Sequence, residues 1–238
     1  MIISTGCSGF YNRLWKGVFY PADLAQSKWF AFYCEHFHTI ELNVTFYKFP
    51  TIKTLDAWYK KSPADFSFAV KAPRLITHYK KFKDCSQEID DLYNACESGL
   101  KDKMGCLLFQ FPPSFKYDEN SLDLILKSLK PQFKNVLEFR NPGWWNKEVY
   151  NALKTNDIIF CSVNHPQLPE DILLTSATAY VRLHGNPQIF YSSYSDEFLL
   201  TLHKTLVKNK KIKDAYVFFN NTASTAGILN AKHFNALS

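Results

Sequence analysis

The chain reads as an α/β protein whose eight strands run parallel and close into a TIM-type βα barrel. Three observations predict this. Eight runs of alternating apolar and polar residues are separated by stretches of helical spacing and recur roughly every 20 to 40 residues, the rhythm of parallel strands joined by helical crossovers. One face of most runs turns polar near its C-terminal end. That suits a barrel lumen opening into a pocket, whereas the central strands of an open doubly wound sheet would be apolar on both faces. The length of 238 residues is close to the approximately 250 typical of such barrels.

Taken in order, the first strand is expected over residues 2–8, followed by an aromatic loop, 9–21, carrying Phe10, Tyr11, Trp15, Phe19 and Tyr20. Loops this long inside a compact domain are usually functional or lid-like. A helix follows over 23–37 with Trp29, Tyr33 and Phe37 one turn apart. A second strand, 39–46, sets Ile40, Leu42 and Val44 against Glu41, Asn43 and Thr45. Residues 50–61 read as a helix and 66–73 as a third strand, with Lys71 on its polar parity. A basic loop, RLITHYKKFK, comes next. Ser86 is placed to cap the following helix, whose stripe is Ile89, Leu92, Tyr93 and Cys96, and Gly99 to end it in a left-handed conformation.

The fourth strand, 105–112, groups Cys106, Leu108 and Gln110, and Leu122, Ile125, Leu126 and Leu129 mark the next helix. The fifth unit, NVLEFRNPGWWN, turns Glu138 and Arg140 one way and Leu137 and Phe139 the other, before Asn-Pro-Gly breaks the strand and Trp145, Val149, Ala152 and Leu153 recur at helical spacing. A sixth strand spans 158–164, and a Pro-rich connection with poor helical signal follows it. Strands at 179–185 and 214–221 flank a helical stripe of Leu199, Leu202 and Leu206, and a last helix starts near Ala226.

The chain holds 46% hydrophobic residues, enough for one sizeable core, and no segment resembles a linker, so a single domain over 1–238 is expected. A net charge of +6 favours anionic ligands but falls short of the basic clusters of a dedicated nucleic-acid binder. Six cysteines without a C-x-x-C pair speak against a zinc knuckle and are read as reduced core residues. No apolar stretch approaches the roughly 18 residues of a membrane span and no signal peptide precedes the first strand, so a cytoplasmic protein without a membrane partner is expected.

Several segments together resemble the YecE-like family, domain of unknown function 72. They are residues 6–9 with WKGVFYP, then ELNVTFYKFP, FAVKAPRLITH, LLFQFPPSF, EFRNPGWW, YVRLHG, and FFNN with Gly227, Asn230 and Ala231. They run from one end of the chain to the other. The resemblance implies a βα barrel and supplies no reaction. Phe10 stands where a tryptophan is common in the family, and Asn164-His165 where an acidic residue is expected.

In such barrels the residues at the C-terminal strand ends are the catalytic candidates. Glu41, Lys71, Glu138 and His184 are therefore the candidates for acid–base chemistry, with either glutamate as base and Lys71 or His184 as acid or electrostatic stabiliser. Asn43, Gln110, Arg140, Trp144, Arg182 and Asn220 are the binding candidates, the two arginines suiting a phosphate or carboxylate held bidentately. An anionic small molecule is the favoured ligand. Substitution of Arg182 by Ala is expected to weaken its binding with little loss of folding. No cofactor is assigned, and a metal on Glu41, Glu138 and His184 is disfavoured by the cations beside them. The second reading is a non-catalytic nucleic-acid or nucleotide-binding barrel. It rests on Trp15, Tyr20, Tyr47, Trp144, Trp145, Tyr191 and Tyr194 interleaved with basic residues, although packing between loops explains more than half of those aromatics.

Overall fold

The computed structural model describes residues 1–237. Its strands are β1 (Ile2–Cys7), β2 (Thr39–Leu42), β3 (Ser67–Lys71), β4 (Met104–Phe111), β5 (Asn135–Phe139), β6 (Ile159–Asn164), β7 (Thr178–Leu183) and β8 (Asp214–Phe219). The helices are α1 (Trp29–Cys34), α2 (Val44–Tyr47), α3 (Ile52–Lys61), α4 (Ser86–Leu100), α5 (Glu119–Ser128), α6 (Lys147–Thr155), α7 (Asp196–Lys208) and α8 (Ala226–Asn235). The strand order is β1-β8-β7-β6-β5-β4-β3-β2, the sequential order of the TIM-like barrel that the alternation predicts. Two compact units are distinguished: Met1–Glu41 with Ser162–Ile172 and the residues from Ala177 onward, and Leu42–Cys161 with Leu173–Ser176.

In the first unit β1, β8 and β7 pair in parallel, Ile2 with Asp214, Gly6 with Phe218 and Arg182 with Phe218 in register. The period of two then sorts side chains to faces. Val181 and Leu183 share a cavity of about 360 Å³ with Phe198 and Leu202 of α7, so the odd residues of β7 face the helix as expected. Tyr180 and Arg182 take the other face. Ser195 caps α7 by accepting the Phe198 amide, and Leu199, Leu202 and Leu206 bury its stripe, each side chain contributing roughly 1.5–3 kcal/mol by leaving water. Gly6 is fixed by close approach, since a Cβ there would lie 2.4 Å from the Thr39 carbonyl oxygen. The aromatic loop is pinned down: Trp15 donates to the Ser224 carbonyl at 2.9 Å, and Tyr20 stacks on Trp29 at 4.6 Å.

In the second unit the parallel registers place Lys71 beside Leu108, Leu108 beside Val136, and Gln110 beside Glu138. The opposite parity carries the core of this unit, where Phe139 stacks on Trp144 at 4.1 Å, and Phe111 on both Phe115 and Phe139. Side-chain caps start the helices: Thr51 for α3, Asp118 for α5 and Asn146 for α6.

Several local expectations are corrected. The second strand stops at Leu42, and the chain turns into α2 because the buried Thr45 hydroxyl lies 2.6 Å from both the Leu42 and Lys71 carbonyl oxygens; Val44, expected in the core, is 56% exposed. Part of the basic loop is a π-helical turn, Leu75–Tyr79. The first helix is shorter than expected, Trp29–Cys34 behind a 3₁₀ turn at Gln26–Lys28. Cys85, not Ser86, precedes α4, and the left-handed residue at its end is Lys101 at φ 51°. Gly99 instead lies inside α4, where a Cβ would fall 2.5 Å from Leu55 Cβ of α3. It permits helix contact rather than helix termination. The Pro-rich connection between β6 and β7 contains no helix among the described residues.

Candidate functional site

The expected site residues lie at or near strand ends in both units. Glu41 is the penultimate residue of β2, Lys71 the last of β3, Gln110, Glu138 and Arg182 the penultimate residues of β4, β5 and β7; His184 and Asn220 directly follow β7 and β8.

In the first unit Glu41 is fully buried and accepts three hydrogen bonds, from Ser8 Oγ at 2.7 Å, Arg182 Nη2 at 2.6 Å and Tyr180 OH at 2.7 Å. Arg182 is only 1% exposed. The pair is buried, although the Arg182 Nε finds no hydrogen-bond partner among the described residues, and breaking it leaves one charge stranded in a low-dielectric interior. Arg182 is therefore a partner of Glu41, and its removal is predicted to cost stability, against the expectation that it would spare folding. His184, also fully buried, holds its Nδ1 at 2.8 Å from the Asn220 amide nitrogen. With that amide donating, Nδ1 is the acceptor and the ring proton sits on Nε2. The His165 ring lies 5.9 Å away, edge to face. Cys7 lies on the helix-facing side beside the Gly227 carbonyl, and burial pushes its thiol far up. It is a core residue.

In the second unit Glu138 accepts from the Nε of Arg140, two residues along the same strand face, and lies 4.0 Å from the Cys161 sulfur. The Arg140 side chain is 13% exposed while Glu138 is 0%. Lys71 sets its ammonium 4.2 Å above the Phe46 ring, a cation–π contact worth about 1 kcal/mol or more when desolvated. The same ring meets His78 in a T-shaped contact at 4.9 Å. His78 belongs to the π-helical turn, and its Nδ1 lies 2.9 Å from the Thr77 hydroxyl. Burial, then the positive charges of Lys71 and Arg140, push its pKa down to about 4, and Glu138 opposes this only in part. Gln110 donates to the Phe111 carbonyl at 2.9 Å.

Two binding candidates play other parts. Trp144 is fully buried, stacked on Phe139 and Phe115, its indole N–H donating to the Phe115 carbonyl at 2.8 Å; it anchors a loop. Asn43 is half-buried at the start of α2. Of the seven aromatics read as loop residues, Trp15, Tyr20, Trp144 and Tyr194 are buried, so packing does explain more than half. His78 was not among the expected site residues, because it lies in a turn with no strand parity; the only signal for it was its place at the end of FAVKAPRLITH.

No group of three His, Cys, Asp or Glu side chains among the described residues is placed to hold a metal ion, and no described helix is long and apolar enough to cross a membrane.

Eight parallel strands alternating with helices, with polar side chains gathered at the strand ends, make this a TIM-like barrel protein. Residues 4–238 match the model of a family described as "Protein of unknown function DUF72", and the chain belongs to that family. It is similar to UPF0759 protein YunF of Bacillus subtilis, 26% identical over 90% of this chain and 87% of that one. It is also similar to UPF0759 protein YecE of Escherichia coli, 28% identical over 48% of this chain and 42% of that protein. The crystal structure of a DUF72 family protein from Thermotoga maritima superposes with a TM-score of 0.90 at 30% identity, covering 100% of this chain and 99% of that chain.

Proposed function

We propose that the protein binds an anionic small molecule, carrying a phosphate or a carboxylate, at the second unit's cluster of Lys71, His78, Glu138 and Arg140. The observation that carries this reading is the electrostatic environment of His78. A half-buried imidazole kept neutral first by burial and then by the charges of Lys71 and Arg140, which Glu138 only partly offsets, has two cations and one carboxylate about it, and an anion there relieves the excess of positive charge. Arg140 supplies directional donors and Lys71 a point charge. Glu138, held by Arg140, is the carboxylate placed to accept a proton from a bound molecule, with Lys71 stabilising the charge that develops.

Glu41 and His184 fit this chemistry less well, since both are fully buried and engaged by protein partners, Glu41 by Arg182, Tyr180 and Ser8 and His184 by Asn220. Their part in this reading is to hold the strand ends.

Calorimetric titration with inorganic phosphate tests the proposal. Arg140→Ala should weaken binding by about 1.5–3 kcal/mol, the size of a charge-assisted hydrogen bond. Indistinguishable affinities in wild type and variant would remove Arg140, and with it the cluster, from the binding site.

A further inference from the structure

Beside the anion cluster the second unit exposes two tyrosines that no packing requirement explains. Tyr47, at the end of α2, is 71% exposed, and Tyr79, at the end of the π-helical turn, is 64% exposed. The Arg74 guanidinium lies between them, 5.8 Å from the Tyr47 ring and 5.4 Å from the Tyr79 ring. Leaving two large rings in water costs solvation that a loop could avoid with smaller residues, whereas flat exposed rings flanking a guanidinium provide stacking faces for another flat group. Contacts run without a break from this platform to the anion cluster. Tyr47 meets Phe46 at 5.1 Å, and Phe46 carries Lys71 on its face and meets His78 in a T-shaped contact.

We infer that the anion is the phosphate of a nucleotide, whose base stacks on Tyr47 or Tyr79 while the phosphate meets Lys71, His78 and Arg140. The inference rests on the anion-binding reading above and adds the substrate class. Stacking on an aromatic face is tolerant of base identity, so the site selects nucleotides over sugar phosphates rather than one base over another. The same chemistry serves a free nucleotide and one unit of an unpaired strand.

The test titrates the full chain with ribose 5-phosphate, adenosine 5′-monophosphate and a single-stranded oligoadenylate, in the wild type and in a Tyr47→Ala/Tyr79→Ala double variant. Both side chains are exposed, so the variant keeps its fold, which a thermal melt checks. In the wild type the adenosine monophosphate should bind about tenfold tighter than ribose 5-phosphate, and the double variant should lose that preference while keeping its affinity for the sugar phosphate. Tighter binding of the oligonucleotide than of the mononucleotide assigns the base to a strand; equal or weaker binding assigns it to a free nucleotide. Equal wild-type affinities for the two small phosphates would overturn the nucleotide inference and leave the anion site standing. Absence of binding by all three ligands would overturn both.

Discussion

A buried glutamate that accepts from a serine, a tyrosine and an arginine has most of its acceptor capacity taken up by protein, and Glu41 is such a residue. Glu41→Gln and Arg182→Ala should each destabilise the fold by about 3–5 kcal/mol, because each strands the other partner's charge. Urea denaturation measures this, and a loss below about 1 kcal/mol in both variants, the usual worth of an exposed pair, would show the pair to be solvated instead. His78 makes a second prediction. Its pKa is about 4 in the folded protein against 6.5 ordinarily, so the unfolded chain takes up a proton first as pH falls. The stability associated with a neutral His78 is complete above pH 6.5 and is lost between there and pH 4. Screening at a ring in partial contact with water limits the effect to about 1–2 kcal/mol. The pH dependence of the unfolding free energy should be flatter in this window for His78→Gln; an unchanged slope would contradict the assignment. Residue parity made Glu41 and Glu138 legible as inward carboxylates in the sequence, but it could not say which would be closed off by neighbours. Ser8, just past β1, and Tyr180 of β7 bond Glu41 from other parts of the chain, and strand alternation carries no information about what sits opposite.

Elements were legible where period and caps agreed. β1, β3, β5, β6 and β8 fall within the runs that alternation marked out, β4 and β7 start one residue earlier than theirs, and Leu199, Leu202 and Leu206 named the buried stripe of α7. Expectation failed where a tertiary contact overrode local pattern. At 43–46 the alternation continued on paper, yet the Thr45 hydroxyl turned the chain toward the Lys71 carbonyl and made a helix. Gly99 looked like a helix terminator and proved to be the point where α4 approaches α3. Gly99→Ala should accordingly cost about 1–3 kcal/mol by overpacking against Leu55. An ordinary terminator at a left-handed φ would also lose stability on this change, so the discriminating measurement adds Leu55→Ala. The Leu55→Ala background should relieve most of the Gly99→Ala penalty if contact with Leu55 is its cause, and leave it intact if backbone conformation is.

At the scale of the whole molecule, the family match and the superposition with the Thermotoga maritima protein agree with the fold that alternation and length predict. Alternation is visible in a sequence because a strand has only two faces, which is why the architecture could be read before its site. The proposed anion site was half legible. Lys71, Glu138 and Arg140 stand on strand ends and follow parity, whereas His78 and Tyr79 lie on a π-helical turn whose five-residue geometry no apolar periodicity announces. The central claim is that an anion sits beside His78 among Lys71, Arg140 and Glu138, and NMR titration of the His78 ring with and without saturating phosphate tests it most directly. The account predicts a ring pKa near 4 in the unliganded protein that rises when phosphate binds, since the anion favours the protonated ring. A ring pKa that phosphate leaves unmoved, in a protein that binds phosphate, would place the anion elsewhere and contradict the account.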